Sequence, residues 1–302
     1  MPPRRIQSAH LGSSSSLSRL TRRPSTRLGP DPRSCCLTVA VQALSLDWLG
    51  HRLAQRGLVA VGIDHHGHTV TEVYRAEGFF CLWQRARDFT ALLDQPSWRD
   101  ELDLAVEDGA CIFGFSAGAY TTMLLAGARV AYSQFEPDNP VKRPNGGPRE
   151  YPTLADEWPQ LQTSAVFRSS FDRRRDDYRD PRIHAGVAIA PGRSVLGFSR
   201  ESLHNITCPV LLIGGDADTT APTSLCCQPL KANVATGTFE MLHGGVNRYT
   251  FLPEGSDNGR EAAPGLFEDA PGLDRSGIHD GVATIVEKHD RYVRFRAGRT
   301  GI

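Results

Sequence analysis

The sequence has no excess of charge of either sign and no long apolar run. Its 34 Lys and Arg residues balance its 34 Asp and Glu residues, so the formal net charge is zero. A balanced chain gives no overall basic surface for nucleic acid or an anionic membrane. No stretch approaches the roughly 18–20 apolar residues of a membrane span. We therefore expect a small, uncharged or weakly charged partner, with no nucleic acid and no membrane span.

The cysteines lack the spacing of a metal or redox motif. The chain has seven cysteines, of which Cys35-Cys36 and Cys226-Cys227 are adjacent pairs and the others stand far apart. None has the Cys-x-x-Cys spacing of a zinc site or a thioredoxin-like motif. Idle or buried thiols are typical of a reducing compartment, which favours a cytoplasmic location. No cofactor and no metal are predicted.

The first 36 residues have a single acidic residue and no apolar core. Asp31 is the one acid among many arginines, and a serine run occupies positions 13–16. The missing apolar core argues against a secretory signal. This composition predicts a disordered tail over residues 1–36. A basic, serine-rich segment is also typical of an organelle transit peptide, and that alternative stays open.

From residue 37 onward, short apolar runs alternate with helical patterns. Nearly continuous runs of valine, isoleucine, leucine and alanine indicate strands buried on both faces of a parallel sheet. The alternation predicts one α/β domain over residues 37–302, with helices on both faces of a mostly parallel sheet. The predicted strands are 37–41, 58–63, 110–115, 186–190, 209–215 and 238–242. The predicted helices are a segment opening at 45–47 and closed by Gly57, then 79–93, 117–130 and 277–294.

Residues 131–181 interrupt this alternation. Several prolines and glycines exclude long regular elements there, and a charged run follows at 172–177. An irregular insertion of this length is often a lid over an active site. A solvated loop of mixed charge explains the same residues, and the sequence does not decide between the two.

The pentapeptide Gly114-Phe115-Ser116-Ala117-Gly118 stands between a predicted strand and a predicted helix. In that context Gly-x-Ser-x-Gly is typical of a nucleophile elbow, a sharp turn that exposes the serine hydroxyl above the sheet. Ser116 is therefore the predicted nucleophile. The amide of Ala117 is the predicted oxyanion donor.

A nucleophilic serine of this kind is followed along the chain by an acid and then a histidine. Asp218 is the predicted acid and Asp216 the reserve, because both directly follow the predicted strand 209–215. His243 directly follows the predicted strand 238–242 and is the predicted general base. A polar surface histidine would also suit that loop.

A second group of histidines, His65, His66 and His68, follows the predicted strand 58–63. Closely spaced imidazoles can bind zinc, copper or nickel. No acidic or cysteine ligands complete a known metal motif, so a loop that lines the pocket is the preferred interpretation.

Several stretches together resemble one known family. They are residues 58–69, 114–118, 180–183, 208–213 and 249–252. Over residues 45 to about 294 the chain resembles the bacterial predicted dienelactone hydrolase family, distant relatives of the platelet-activating-factor acetylhydrolases. The resemblance implies an α/β-hydrolase fold and a cofactor-free serine hydrolase of esters, lactones or small acyl compounds. Dienelactone hydrolases in the narrow sense use cysteine, so Ser116 argues against that activity.

The chain departs from this family at two places. Relatives carry a His-Gly-x-Gly-Gly-like segment after the first core strand, which supplies the second oxyanion donor, whereas here residues 41–44 run straight into Ser45. Relatives also tend to place the catalytic histidine directly before Tyr-Thr-Phe-Leu, where this chain has Arg248. An arginine side chain stays protonated and cannot act as a general base near neutral pH.

Two functional hypotheses follow, and they belong to different classes. In the leading one, Ser116 attacks an ester-type carbonyl, His243 is base and then acid, and Asp218 orients it. In the alternative, a degraded hydrolase-fold protein acts as a binding module. A mistaken gene start or a frameshift is a third explanation of the unusual N-terminal region.

Overall fold

The computed structural model describes residues 10–11, 15–21, 35–39, 43–69, 72–95, 97, 109–140 and 147–299. Its centre is an eight-stranded sheet in the order β1-β2-β4-β3-β5-β6-β7-β8. The strands β3 to β8 pair in parallel, while β1 and β2 are antiparallel to their neighbours. The strands are β1 (His10–Leu11), β2 (Ser15–Thr21), β3 (Cys35–Val39), β4 (Val59–His65), β5 (Ala110–Phe115), β6 (Ile183–Ile189), β7 (Val210–Gly215) and β8 (Gly237–Leu242).

Strands β1 and β2 lie inside the segment that the sequence analysis assigned to a disordered tail. Strand β2 pairs with β4 from Ser15↔His65 to Thr21↔Ala60. The start of the sheet therefore differs from the domain boundary predicted at residue 37. The prediction rested on composition, whereas a strand near the sheet edge is held by backbone hydrogen bonds that a polar sequence can also make. The rest of the predicted tail lies outside the described residues, apart from Cys35 and Cys36 in β3.

Helices connect the strands and cover both faces of the sheet. They are α1 (Asp47–Gln55), α2 (Ala76–Phe80), α3 (Gln84–Asp94), α4 (Ala117–Ala126), α5 (Trp158–Leu161), α6 (Ala165–Asp172), α7 (Arg200–His204), α8 (Thr223–Asn233), α9 (Asp257–Ala262) and α10 (Arg275–Arg299). Among the described residues, no helix is both long and apolar enough to cross a membrane.

Two apolar clusters lie on opposite faces of the sheet. Successive residues of β5 illustrate this, because Ile112 belongs to the cluster that includes α3 and α4, while Phe113 belongs to the cluster that includes α1 and α10. Strands β4, β5 and β7 are buried along their whole length, as the continuous apolar runs predicted. A mostly parallel sheet in this strand order, with helices on both faces and a serine turn after β5, is the α/β-hydrolase fold that the sequence predicted.

The predicted helix 79–93 is divided in the structure. Helix α2 ends at Phe80 and α3 begins at Gln84, with Trp83 completely buried between them. The Trp83 indole N–H donates to Ser170 Oγ at 3.3 Å. The break between α2 and α3 thus lies where Trp83 contacts the inserted segment. The periodicity of the local sequence does not predict such a contact.

The insertion, described over residues 131–140 and 147–181, contains the short helices α5 and α6, two 3₁₀ helices (Leu154–Glu157 and Arg173–Arg175) and several turns. Its aromatic side chains Trp158 and Phe167 pack on Phe80 of α2, with ring centroids 5.2 and 6.0 Å away. The insertion is therefore anchored to the domain by an aromatic cluster. Its role as a cap over the site stays a prediction.

Candidate active site around Ser116

Ser116 occupies a strained turn between β5 and α4. Its backbone angles are φ 58° and ψ −113°, a positive φ that is uncommon for any residue except glycine. Both sides of the turn are fixed, since Ser116 N–H donates to Ile189 O at 3.0 Å and Tyr120 N–H donates to Ser116 O at 3.3 Å. Such strain persists where the surrounding structure enforces it. Ser116 therefore stands on a strained strand-to-helix turn, and its role as a nucleophile stays a prediction.

Ala117 is the first residue of α4. The first N–H groups of a helix have no acceptor within the helix, and the helix dipole places partial positive charge there. The Ala117 amide is therefore suited to bind a negatively charged oxygen beside Ser116. The region in which a second donor is expected includes residues 40–42, which lie outside the described residues.

Arg248 is the hydrogen-bond partner of Ser116. Its Nη2 donates to Ser116 Oγ at 2.5 Å, while its Nη1 donates to Asp218 Oδ2 at 3.2 Å and to Ala190 O at 2.9 Å. The Arg248 side chain is only 8% exposed, and its guanidinium lies 5.3 Å from the centre of the Phe115 ring. A buried guanidinium thus stands between the serine and an aspartate.

Asp218 is buried in the loop after β7. Its side chain is 1% exposed, and its Oδ1 accepts the Ala221 N–H at 2.8 Å. The structure therefore brings Ser116 and Asp218 into one hydrogen-bonded network, with Arg248 as the link.

His243 is not part of this network. Its side chain is 75% exposed, and its Nδ1 lies 3.6 Å from Asp216 Oδ2. The Ser116 hydroxyl is bonded to Arg248 instead. In this conformation the structure does not bring the predicted base to the predicted nucleophile.

Asp216 holds the loop that follows β8. Its carboxylate accepts the N–H groups of Gly244 (3.0 Å), Gly245 (3.1 Å) and Val246 (3.0 Å). Desolvation raises the pKa of Asp216, but the three N–H groups and the neighbouring His243 outweigh it, so the net pKa is lowered. Asp216 thus anchors the loop, and the structure does not place it against Arg248.

A second set of contacts fixes the turn that carries Arg248. The Asn247 side chain caps this turn by accepting the N–H groups of Tyr249 (2.7 Å) and Thr250 (3.1 Å). Thr250 Oγ1 donates to Asp269 at 2.9 Å, and His279 Nε2 contacts Thr250 O at 2.8 Å. Anchors before and after residue 248 therefore hold Arg248 against Ser116.

The three histidines at the end of β4 and just after it have separate partners. His65 Nδ1 contacts Asp88 at 2.7 Å, His66 Nδ1 contacts Glu72 at 2.9 Å, and His68 Nδ1 lies 3.4 Å from Arg85 Nη1. Within the described ranges, no group of three or more His, Cys, Asp or Glu side chains has the arrangement of a metal site.

Sequence reasoning missed two residues near Ser116. Gly192 and Ser194 follow β6, and an ideal Cβ built on Gly192 would lie 3.8 Å from Ser116 Oγ and 3.8 Å from Ser194 Oγ. The available signal was position alone, because the carboxyl ends of parallel strands lie at one edge of the sheet. Arg248 was noted as a departure from the family, but its bond to Ser116 was not predicted.

No protein-family model matches this sequence, and no curated protein matches it. It is similar to the solved structure of Est1E from Butyrivibrio proteoclasticus with ferulic acid bound, at 12% identity and TM-score 0.47, covering 87% of this chain and 96% of that one. An alpha-beta serine hydrolase homologue from Coxiella burnetii has 14% identity and TM-score 0.45, with 86% and 97% covered. A predicted CIB-like hydrolase from Thermoplasma acidophilum has 12% identity and TM-score 0.44, with 86% and 96% covered.

Proposed function

We propose that this α/β-hydrolase-fold protein binds a small acyl compound at Ser116 without hydrolysing it. One observation carries the proposal: the guanidinium of Arg248 bridges Ser116 Oγ and Asp218 Oδ2, where a catalytic base would stand between nucleophile and acid. The sequence stretches given above resemble the predicted dienelactone hydrolases, and this resemblance supports an acyl compound as the ligand.

The chemistry of arginine supports binding over turnover. Hydrolysis requires a group that accepts the Ser116 proton as its oxygen attacks, and then returns that proton to the leaving group. A guanidinium has five N–H donors and no acceptor at neutral pH. In the described geometry it donates to Ser116 Oγ and withdraws electron density from the would-be nucleophile. Loss of a catalytic base typically reduces turnover by about 10⁴–10⁶.

The features that would hold an acyl group are still present. The strained turn keeps Ser116 at the end of the sheet, and the Ala117 amide begins α4 beside it. Both groups can donate to a ligand oxygen without any proton transfer. A site that keeps its donors and lacks a base is expected to bind and not to turn over.

A serine ester hydrolase is the second candidate, favoured by the strained elbow at Ser116. In that mechanism Ser116 attacks the carbonyl, the Ala117 amide stabilises the oxyanion, His243 acts as base and then acid, and Asp218 orients His243. The loop at residues 243–248 would have to rearrange so that His243 replaces Arg248 beside Ser116.

Hydrolysis of short-chain p-nitrophenyl esters separates the two candidates. We expect neither purified wild type nor Ser116→Ala to hydrolyse these esters faster than buffer alone. We also expect that a fluorophosphonate does not label the wild type. Turnover and labelling that disappear in Ser116→Ala would overturn the binding proposal. If His243→Ala then also abolished that turnover, the ester hydrolase with His243 as base would be the function.

A further inference from the structure

A cleft of about 390 Å³ lies within the insertion. Residues from 132–140 and from 171–175 line it, together with Trp158. Sites for small molecules typically have volumes of about 300–1,000 Å³, so the cleft is large enough for one small ligand. None of its lining residues belongs to the hydrogen-bonded network of Ser116. The cleft is therefore a candidate for a second binding site.

Aromatic side chains supply much of the apolar lining, and their contacts hold them in place. The half-buried Trp158 ring packs on Phe171 and on Phe80, with ring centroids 5.0 and 5.2 Å away. The Tyr132 hydroxyl donates to Leu196 O at 2.6 Å. Rings that are fixed before a ligand arrives lose little conformational entropy on binding, which favours a flat apolar ligand.

Arg174 brings a planar cation to the same cleft. Its guanidinium lies over the Phe171 ring, 4.2 Å from the ring centre, and its Nη1 donates to Phe171 O at 3.0 Å. Its Nε lies 3.2 Å from Glu136 Oε2, an ion pair without the alignment of a hydrogen bond. The Arg174 side chain is 19% exposed. Because Phe171 covers one face of the guanidinium, an aromatic ligand that reaches Arg174 from the cleft would stack on the other face.

The formal charges of the lining cancel. Two carboxylates, Glu136 and Asp138, stand with two guanidinium groups, those of Arg174 and Arg175. A ligand anion would meet the carboxylates and a ligand cation would meet the arginines. Either ion would lose hydration without gaining a net opposite charge. The lining therefore favours an uncharged ligand.

We infer that this cleft binds an uncharged planar aromatic compound, whose ring stacks on the Arg174 guanidinium and contacts Trp158. The inference concerns a site separate from Ser116 and does not depend on the proposed function. Binding is noncovalent.

A titration of the full chain with benzamide tests the inference through the ¹H–¹⁵N NMR signals of the tryptophan indoles. Trp158→Phe assigns the signal of Trp158. We expect that signal to shift with benzamide concentration, because the ring current of a bound benzamide acts on Trp158. The signals of the buried Trp48 and Trp83 should shift much less. A Trp158 signal that does not respond to benzamide would overturn the inference.

Three related compounds test the ligand class. Cyclohexanecarboxamide keeps the amide of benzamide but lacks the aromatic ring, so it should bind about threefold more weakly or worse. Benzoate and benzylammonium keep the ring and carry opposite charges, and both should also bind more weakly than benzamide. Equal affinities of benzamide and cyclohexanecarboxamide, or tighter binding of either ion, would contradict the inference.

Two matched variants locate the ring on Arg174. Arg174→Lys keeps the positive charge beside Glu136 but removes the planar group, so it should weaken benzamide binding by about threefold or more. Arg173→Lys makes the same change one position earlier, at an exposed arginine that does not line the cleft, and should bind as wild type does. Equal affinities of the two folded variants would show that benzamide does not stack on Arg174.

Discussion

At the scale of the residue, Arg248 is the hydrogen-bond partner of the Ser116 hydroxyl. It donates to Ser116 Oγ and to Asp218 from a buried position. Arg248 is therefore the first residue to substitute.

Arg248→His should create ester hydrolysis. An imidazole on the same turn could accept the Ser116 proton and be oriented by Asp218. A well-placed base is worth about 10⁴–10⁶, and the oxyanion site is the same in both proteins, so we expect at least a ~10²-fold rise in p-nitrophenyl butyrate hydrolysis over the parent.

The matched control for that gain is Arg248→Gln, which removes the guanidinium without adding a base. It should stay as inactive as the parent. A folded Arg248→His protein no faster than Arg248→Gln would contradict the base-position interpretation.

The strain at Ser116 predicts an unusual order of stabilities. Glycine adopts a positive φ at no steric cost, so Ser116→Gly should be more stable than Ser116→Ala by about 1 kcal/mol. Both variants lose the bond from Arg248, so their difference isolates the backbone strain. Urea unfolding measures it, and Ser116→Ala as the more stable of the two would show that the turn is unstrained.

At the scale of the element, the loop after β8 is held by one carboxylate. Asp216→Asn keeps one amide oxygen where the carboxylate accepted three N–H groups, and it removes the negative charge. We expect a loss of about 1–3 kcal/mol in the free energy of unfolding. The comparison variant is Asp280→Asn, a surface residue bonded to Arg52, which should change stability by less than about 0.5 kcal/mol. Equal effects of the two changes would mean that Asp216 does not anchor the loop.

At the scale of the whole molecule, buried histidines make stability depend on pH, since burial lowers the pKa of His65, His68, His279 and His289. Burial is the main cause that lowers the pKa of His65 to about 4 and that of His279 to about 4. The unfolded chain binds these protons near pH 6.5 and the folded protein only near pH 4, so stability should fall as the pH drops from about 6.5 to 4. His65 and His279 each contribute on the order of 3 kcal/mol across that range.

Urea unfolding at pH 7, 6 and 5 measures this dependence, and one variant assigns part of it. His279→Gln keeps a side-chain N–H for Thr250 O but does not titrate, so the loss of stability between pH 7 and 5 should be smaller than in wild type. His66→Gln, which changes a half-exposed histidine, should leave most of the dependence in place. An unchanged dependence in His279→Gln would exclude His279 as a source.

Local sequence determined much of this protein. The apolar runs predicted strands β3 to β8 to within a few residues, and the strand predicted at 110–115 agrees with β5 at both ends. The pentapeptide at 114–118 placed Ser116 in a strand-to-helix turn, which the structure has. These features follow from side-chain periodicity and from a motif of five neighbouring residues, so they can be predicted without knowledge of the rest of the chain.

Only the tertiary structure decided which residue stands beside Ser116. His243 and Arg248 are polar residues of the same loop, five positions apart, and both topology and residue chemistry favoured His243. The path of that loop depends on Asp216, Asp269 and His279, which belong to three different parts of the chain. Ser116 and Arg248 are 132 positions apart, and a contact over such a distance is fixed by the packing of the whole sheet, which no local pattern contains.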